Sequence, residues 1–309
     1  MSLLSLLIAL AAERSLSSPW WCFHHYYKRY QGFFNSQDSL KDKQSSTAGR
    51  ILFIVLPVLL TAFILNSVDN GLLHLILSTV ILIICFGCVG TRESYKQYLQ
   101  SAFRGEETTT ALHHKQLLQD KNLPQMGFGQ ALIWLNYRYY IAIMLHFVLF
   151  GAAGVVFYRL ITTVIEQENN KKKLDECNEA TEQASEAETV SQPLDEEHEV
   201  NNPPNVETGC QNHHDVVFWL DWLPVRITSF GYMFVGHFTK AMPTWLDSLL
   251  DFQKPAHKVL IEVAEKSEDI MVNENDCTAE PCLLVRLAKR NVLLVLAVIS
   301  VFTLAGVLN

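Results

Sequence analysis

The sequence predicts an all-α fold, a polytopic transmembrane helix bundle of five to six membrane segments with amphipathic cytoplasmic helices. Three observations lead there. The apolar residues, 49% of the 309, fall in long blocks, and the charges fall in separate ones. Charged residues make up 18%, below the roughly 25% of soluble domains. The formal net charge of −8 comes from one stretch: residues 166–207 hold thirteen acids against three lysines, a net of −10, which leaves the remainder near +2. No global basic field for nucleic acid exists.

Taken in order, Leu3–Ala12 is apolar but short, and its basic residues follow it, the reverse of a secretory signal; it reads as retained, a short span or a re-entrant piece. Four strong stretches come next: Ile51–Val68, Leu72–Gly90, Ile141–Ile165 and Val292–Leu308. Each approaches the roughly 20 residues that cross about 30 Å of hydrocarbon. Asp69-Asn70-Gly71 reads as the turn between the first two. A weaker candidate, Val216–Phe238, contains Asp221, Pro224 and Arg226. Thr244–Lys266 has helical periodicity broken at Pro255, suiting a helix on the membrane surface or across the cytoplasmic end of the bundle.

The division is 1–165, N-terminal membrane segments with cytoplasmic loops; 166–213, an acidic outer loop whose composition predicts disorder; and 214–309, C-terminal membrane segments with an amphipathic helix. With all six candidates crossing and the Asp69 turn outside, nineteen of the 24 Lys and Arg residues lie inside. Only Lys171, Lys172 and Lys173 then lie outside, and Arg159 and Arg226 fall within spans.

Ionisable groups at membrane depth are costly and face the bundle interior or a wet cavity. Arg226 sits near the midplane if a span begins at Val216, so it either pairs with Asp221 or holds an anionic ligand. The other reading starts the helix at Pro224, with Arg226 reaching outward and Trp219 and Trp222 in the interface. Asn136 and Arg138, within Trp134–Tyr140, form either an interfacial belt or a polar site. Glu13 closes the first stretch; His237 and Lys240 end the fifth and are interfacial or acid/base groups. Gly151-Ala152-Ala153-Gly154 offers a close-packing face.

Other chemistry is sparse. The doublets His24-His25, His113-His114 and His213-His214 lack metal-site spacing with Cys or acidic partners, so no metal is expected. There is no phosphate-cradling glycine loop and no nucleophile elbow, and no cofactor is indicated. Cys85 and Cys88 sit inside an apolar stretch as packing residues. Cys177 and Cys210 share the acidic loop, where a disulfide is open to them.

The segments Ala12-Glu13-Arg14, Ala131–Tyr140, Leu220-Asp221-Trp222-Leu223-Pro224-Val225-Arg226 and Gly236–Trp245 resemble the AmpE family of β-lactamase induction modulators. That family is related to the CobD/CbiB membrane proteins of cobalamin synthesis. The resemblance runs along almost the whole chain outside the acidic loop. It implies a bacterial inner (plasma) membrane protein crossing several times. Its partners would be the lipid bilayer and the cytoplasmic amidase AmpD or a muropeptide-type ligand. Two features depart from the CobD/CbiB pattern: no early Gly-Asp-Pro is followed by His-Pro, and Lys254-Pro255-Ala256-His257 stands where Ser-Pro-Asn is expected. Ile141–His146 also replaces the Ala-Pro-Leu-Phe of AmpE. The expected function is a membrane regulator or sensor of the β-lactamase and peptidoglycan-recycling response. The alternatives are a membrane ligase or transferase acting on a small amine or muropeptide-like substrate, and a transporter. The functional candidates are Glu13, Asn136, Arg138, Asp221, Arg226, His237 and Lys240.

Overall fold

A computed structural model describes residues 2–16, 19–36, 47–87, 89–187, 208–268 and 278–307. Among them all regular structure is helical: α1 (Ser2–Ser15), α2 (Phe23–Asn35), α3 (Thr47–Asn66), α4 (Gly71–Cys85), α5 (Val89–Phe103), α6 (Glu107–Asp120) and α7 (Phe128–Asn136). A π-helical turn, Tyr137–Ile141, joins α7 to α8 (Ala142–Ala187). Then follow α9 (Thr208–Val235), α10 (Phe238–Leu249), α11 (Ala256–Ser267) and α12 (Ala279–Leu304). The helix α9 is the hub of the C-terminal half and packs on α8, α10, α11 and α12; α4 packs on α1 and α8, and α3 on α8.

Among the described residues, Gly49–Asn66 and Phe128–Asn169 are long and apolar enough to cross a membrane. The bent pair Gly71–Cys85 and Gly90–Phe103 makes a third if it is one span. That is two or three, against the five to six the sequence predicts. The shortfall has local causes. Leu3–Glu13 is only a short apolar helix. The stretch Leu72–Gly90 breaks after Cys85, where Phe86 is extended and Gly87 takes a φ of 72°. The first half of α12 is charged by Glu280, Arg286, Lys289 and Arg290.

Only 17% of Gly49–Asn66 is buried. Leu56, Leu59, Leu60 and Phe63 of α3 stand exposed, as do Leu72, Leu73 and Ile76 of α4 and Val298, Val301 and Phe302 of α12. A helix apolar on its outer side, with its backbone bonds satisfied internally, suits lipid and not water.

The run Phe128–Asn169 is not one straight helix. Gly151 has φ 67° and ψ −165°, outside the helical region and open in practice only to glycine. There the chain turns back on itself. The rings of His146 and Tyr158 stack with centroids 4.4 Å apart, whereas twelve residues of continuous helix would hold them about 18 Å apart. Arg138 and Glu166 meet at 3.5 Å across the same reversal. Residues 128–150 and 152–169 are therefore antiparallel arms of one hairpin with its apex at Gly151.

This corrects several expectations. Gly151 is a conformational hinge with nothing within 4 Å of a built Cβ, not part of a close-packing face. Helical, buried backbone begins at Phe128, well before Ile141. The segment that starts at Glu166 does not leave the hairpin at the end opposite Arg138, since these two side chains meet. Nor does non-helical chain begin at 166, since α8 continues to Ala187. Its Glu, Gln, Lys and Ala residues are good helix formers. Residues 188–207 and the side chains of Cys177 and Cys210, with the disulfide considered for them, lie outside the described residues.

The periodic stretch 244–266 is divided between α10 and α11. In α11, Val259, Leu260, Val263 and Ala264 are fully buried. This helix is held in the bundle against α9.

The hairpin has a direct test. Single cysteines at Gln125 and Asn169, introduced without the native cysteines, should react with a membrane-impermeant maleimide from the same side of the membrane. Labelling from opposite sides would show a crossing helix and no hairpin.

Candidate functional site

The π-helical turn sends four consecutive side chains in four directions. Such turns insert one extra residue into a helix and recur at functional sites. Here the turn distributes polar contacts among neighbouring helices. The Tyr137 hydroxyl donates to Asp221 Oδ1 of α9 at 2.7 Å. Arg138 pairs with Glu166 on the returning arm at 3.5 Å. The Tyr139 hydroxyl accepts from Lys121 Nζ at 3.4 Å, and its ring receives the Arg159 guanidinium at 4.7 Å. The Tyr140 hydroxyl donates to Glu13 Oε1 of α1 at 3.0 Å.

The Asp221 centre is the most enclosed of these. The residue is 2% exposed and its Oδ1 accepts a second hydroxyl, that of Tyr158, at 3.0 Å. Tyr137 and Tyr158 are fully buried. Arg138 and His146 act on the carboxyl electrostatically without closing an ion pair with it among the described residues. His146 is oriented by the Ala142 carbonyl, 2.7 Å from its Nδ1. A buried carboxyl is tolerable only when hydrogen-bonded, and here two tyrosines from opposite arms of the hairpin supply the donors.

Glu13 forms a second centre. Its carboxylate meets Arg92 at 3.1 Å, and Arg92 also donates to the Glu13 carbonyl at 3.2 Å. A Cβ at Gly87 would come within 2.4 Å of Glu13 Oε1. This position therefore requires glycine both for its positive φ and for the approach of the carboxylate. A small cleft beside it is lined by Glu13, Leu16, Trp21, Cys22, Ile83, Phe86 and Gly87.

Arg226 forms no pair with Asp221. Five residues along a helix turn a side chain by about 140°, so the two leave α9 in different directions. Nor does a helix begin at Pro224, which lies inside α9. The guanidinium of Arg226, only 3% exposed, lies 5.0 Å over the Trp222 ring. It donates to the carbonyls of Asp251 at 2.7 Å, Ser248 at 3.1 Å and Trp222 at 3.4 Å. Ser248 lies in the last turn of α10 and Asp251 two residues past its end, where a helix leaves acceptors open and favours positive charge. Arg226 is thus a cap that ties α9 to α10.

His237 and Lys240 are exposed at the start of α10 and do not join the buried Asp221 centre. Asn136 lies at the root of the π turn, with a buried Oδ1 that has no hydrogen-bond partner. The seven candidates therefore divide: Arg138 and Asp221 share one buried region, Glu13 joins it through Tyr140, and Arg226 caps a helix. Residue reading missed Tyr137, Tyr158, His146, Arg159 and Glu166 as members. The only sequence signal for them was polarity inside an apolar stretch. Tyrosine spacing across a hairpin gives none.

Near the start of α7, Gln130 Nε2 donates to Glu265 Oε1 of α11 at 2.6 Å, and Glu280 of α12, outside the apolar segments, lies within electrostatic reach of Glu265. Burial, then the charge of Glu265, raises the Glu280 carboxyl above its ordinary value, with His114 opposing. No group of three or more His, Cys, Asp and Glu side chains placed to hold a metal occurs among the described residues.

Taken together, exposed apolar helices around a buried polar interior give the described residues an all-α fold with the character of a membrane protein, its ionisable groups interlocked across helices. The family described as "Regulatory signalling modulator protein AmpE" matches residues 1–166 and 205–309, and the chain belongs to that family. The gap in the match falls on the acidic segment. A curated relative, "Protein AmpE" of Shigella flexneri, is 24% identical over 324 residues, covering 100% of each chain. No solved structure matches the chain.

Two outcomes are expected. Tyr137→Phe and Tyr158→Phe should each lower stability by about 1.5–3 kcal/mol if the carboxyl is ionised, and less if it is not. The double variant should be non-additive, because both hydroxyls serve one oxygen. Denaturant unfolding in detergent measures this, and strict additivity would contradict the shared acceptor. As for pH, a carboxyl raised by folding binds its proton more tightly in the native state. Its contribution is fully present below the ordinary carboxylate value and is lost as pH rises through the folded value. Glu280→Gln should remove that loss, seen as a flatter melting temperature above the ordinary carboxylate range.

Proposed function

We propose that this chain is an inner-membrane regulatory component of β-lactamase induction and peptidoglycan recycling, in which the hairpin centre responds to a bound ligand or partner. Family membership supports the regulatory class. The observation that carries the reading is the junction of the two hairpin arms with α9 at Asp221, made by Tyr137 and Tyr158. A site held by two short bonds and an adjoining ion pair couples three segments, so a shift of any one changes the others. That property suits a switch whose output is a change in helix packing.

On this reading the chain crosses the inner membrane several times. The positive-inside bias places the end of the hairpin that holds Arg138 and Glu166 toward the cytoplasm. The acidic segment then also starts on the cytoplasmic side, where the amidase AmpD or a muropeptide-type ligand would be met. Lys171, Lys172 and Lys173, the exceptions to the charge rule in a simple crossing topology, then conform to it.

The test uses cells whose inducible β-lactamase response depends on this chain. Arg138→Gln breaks the ion pair with Glu166 and leaves the tyrosine–Asp221 bonds in place. Induction should fall at least tenfold while the protein stays in the membrane at normal abundance. Normal induction by that variant at normal abundance rejects the proposal.

A further inference from the structure

Arg159, on the returning arm of the hairpin, is only 7% exposed, and its Nε and Nη1 are buried without a hydrogen-bond partner. Its guanidinium lies over two rings, 4.7 Å from the centroid of Tyr139 and 5.3 Å from that of Phe23. The rings attract the charge. They leave Nε and Nη1 without a hydrogen bond, however, and the five N–H bonds of a guanidinium point outward in its plane. Leaving such donors unmade is costly, the more so for a charged group. No ion pair with a carboxylate offsets this among the described residues, and the nearest acid of the arm, Glu166, is engaged by Arg138.

The surroundings add positive charge. The Lys121 ammonium lies 5.2 Å from the centroid of the same Tyr139 ring. His24 of α2 is within electrostatic reach of Lys28, Lys121 and Arg159 as well as Glu166. Two cations, the Arg159 guanidinium and the Lys121 ammonium, thus flank one ring, and Glu166, the acid within electrostatic reach of His24, is engaged by Arg138. Several donors and more than one positive charge fit a phosphate group, with its multiple oxygens, better than a single carboxylate.

We infer that Arg159, with Lys121 and His24, binds a phosphate group at the junction of α2, the end of α6 and the returning arm of the hairpin. The phosphate belongs either to an anionic lipid headgroup or to a soluble phosphorylated compound. In both cases the in-plane nitrogens of Arg159 donate to its oxygens while Phe23 and Tyr139 hold the guanidinium in place. The regulatory reading rests on Asp221 and the Arg138–Glu166 pair and this one on Arg159 and Lys121, so variants at the two sets of residues distinguish the failure of one from the failure of the other.

The full-length protein, purified in neutral detergent, is titrated with inorganic phosphate and followed by melting temperature against chloride at equal ionic strength. In parallel, it is placed in nanodiscs of phosphatidylcholine with or without phosphatidylglycerol, and retained lipid is counted by native mass spectrometry. Saturable stabilisation by phosphate identifies a soluble ligand; selective retention of phosphatidylglycerol identifies a headgroup. Either supports the site. Arg159→Gln should weaken the effect at least tenfold. Arg159→Lys, which keeps the charge and loses the planar fork, should fall between. Lys121→Gln, at the rim, should weaken binding several-fold and carries the test if Arg159→Gln does not fold. The site is overturned if the wild type shows neither effect, or if Lys121→Gln and every folded Arg159 variant bind as the wild type does.

Discussion

The reversal at Gly151 is the constraint from which the polar interior follows. A helix running on from Ile141 to Ile165 would carry Arg138 and Glu166 about 40 Å apart. The fold-back brings them to 3.5 Å and sets Tyr158 beside Tyr137, so that both hydroxyls meet one oxygen of Asp221. Only a residue without a Cβ readily takes the backbone angles at the apex. One glycine thus determines whether the ionisable groups of this stretch are partnered or stranded.

The π-helical turn works with that reversal. It turns Tyr137 toward α9, Arg138 toward Glu166 of the returning arm, Tyr139 toward Lys121 and Arg159, and Tyr140 toward α1. Charges buried singly in an apolar bundle would be expensive, and paired ones roughly break even against apolar packing. Their value here lies in fixing which helices meet and in what register. A regulatory protein can use such a joint, because a small change at one contact is felt at the others.

Arg226 illustrates how the same residue type serves a different end. Its sequence setting, a guanidinium in an apolar run beside Asp221, resembles that of a ligand site. Its actual partners are backbone carbonyls at the C-terminus of α10. Arg159 is the converse: it sits in an apolar run, forms no ion pair with an acid among the described residues, and both its Nε and its Nη1 are buried without a hydrogen-bond partner.

What the sequence determined by itself was the all-α class, the lipid-facing character of the long apolar blocks, the family, and the polarity of the Asn136–Arg138 and Asp221–Arg226 segments. These depend on composition, periodicity and local motif, which are properties of contiguous residues. It did not determine the number of helices able to cross, because a glycine inside an apolar run looks the same whether it packs or bends. The partners of each charge were equally hidden. Asp221 and Arg226 are five residues apart yet leave the helix in different directions, while Tyr137 and Tyr158 are twenty-one apart and converge. Tertiary structure decided those pairings, since they arise from the angle at which one helix returns along another, and no local pattern encodes that angle.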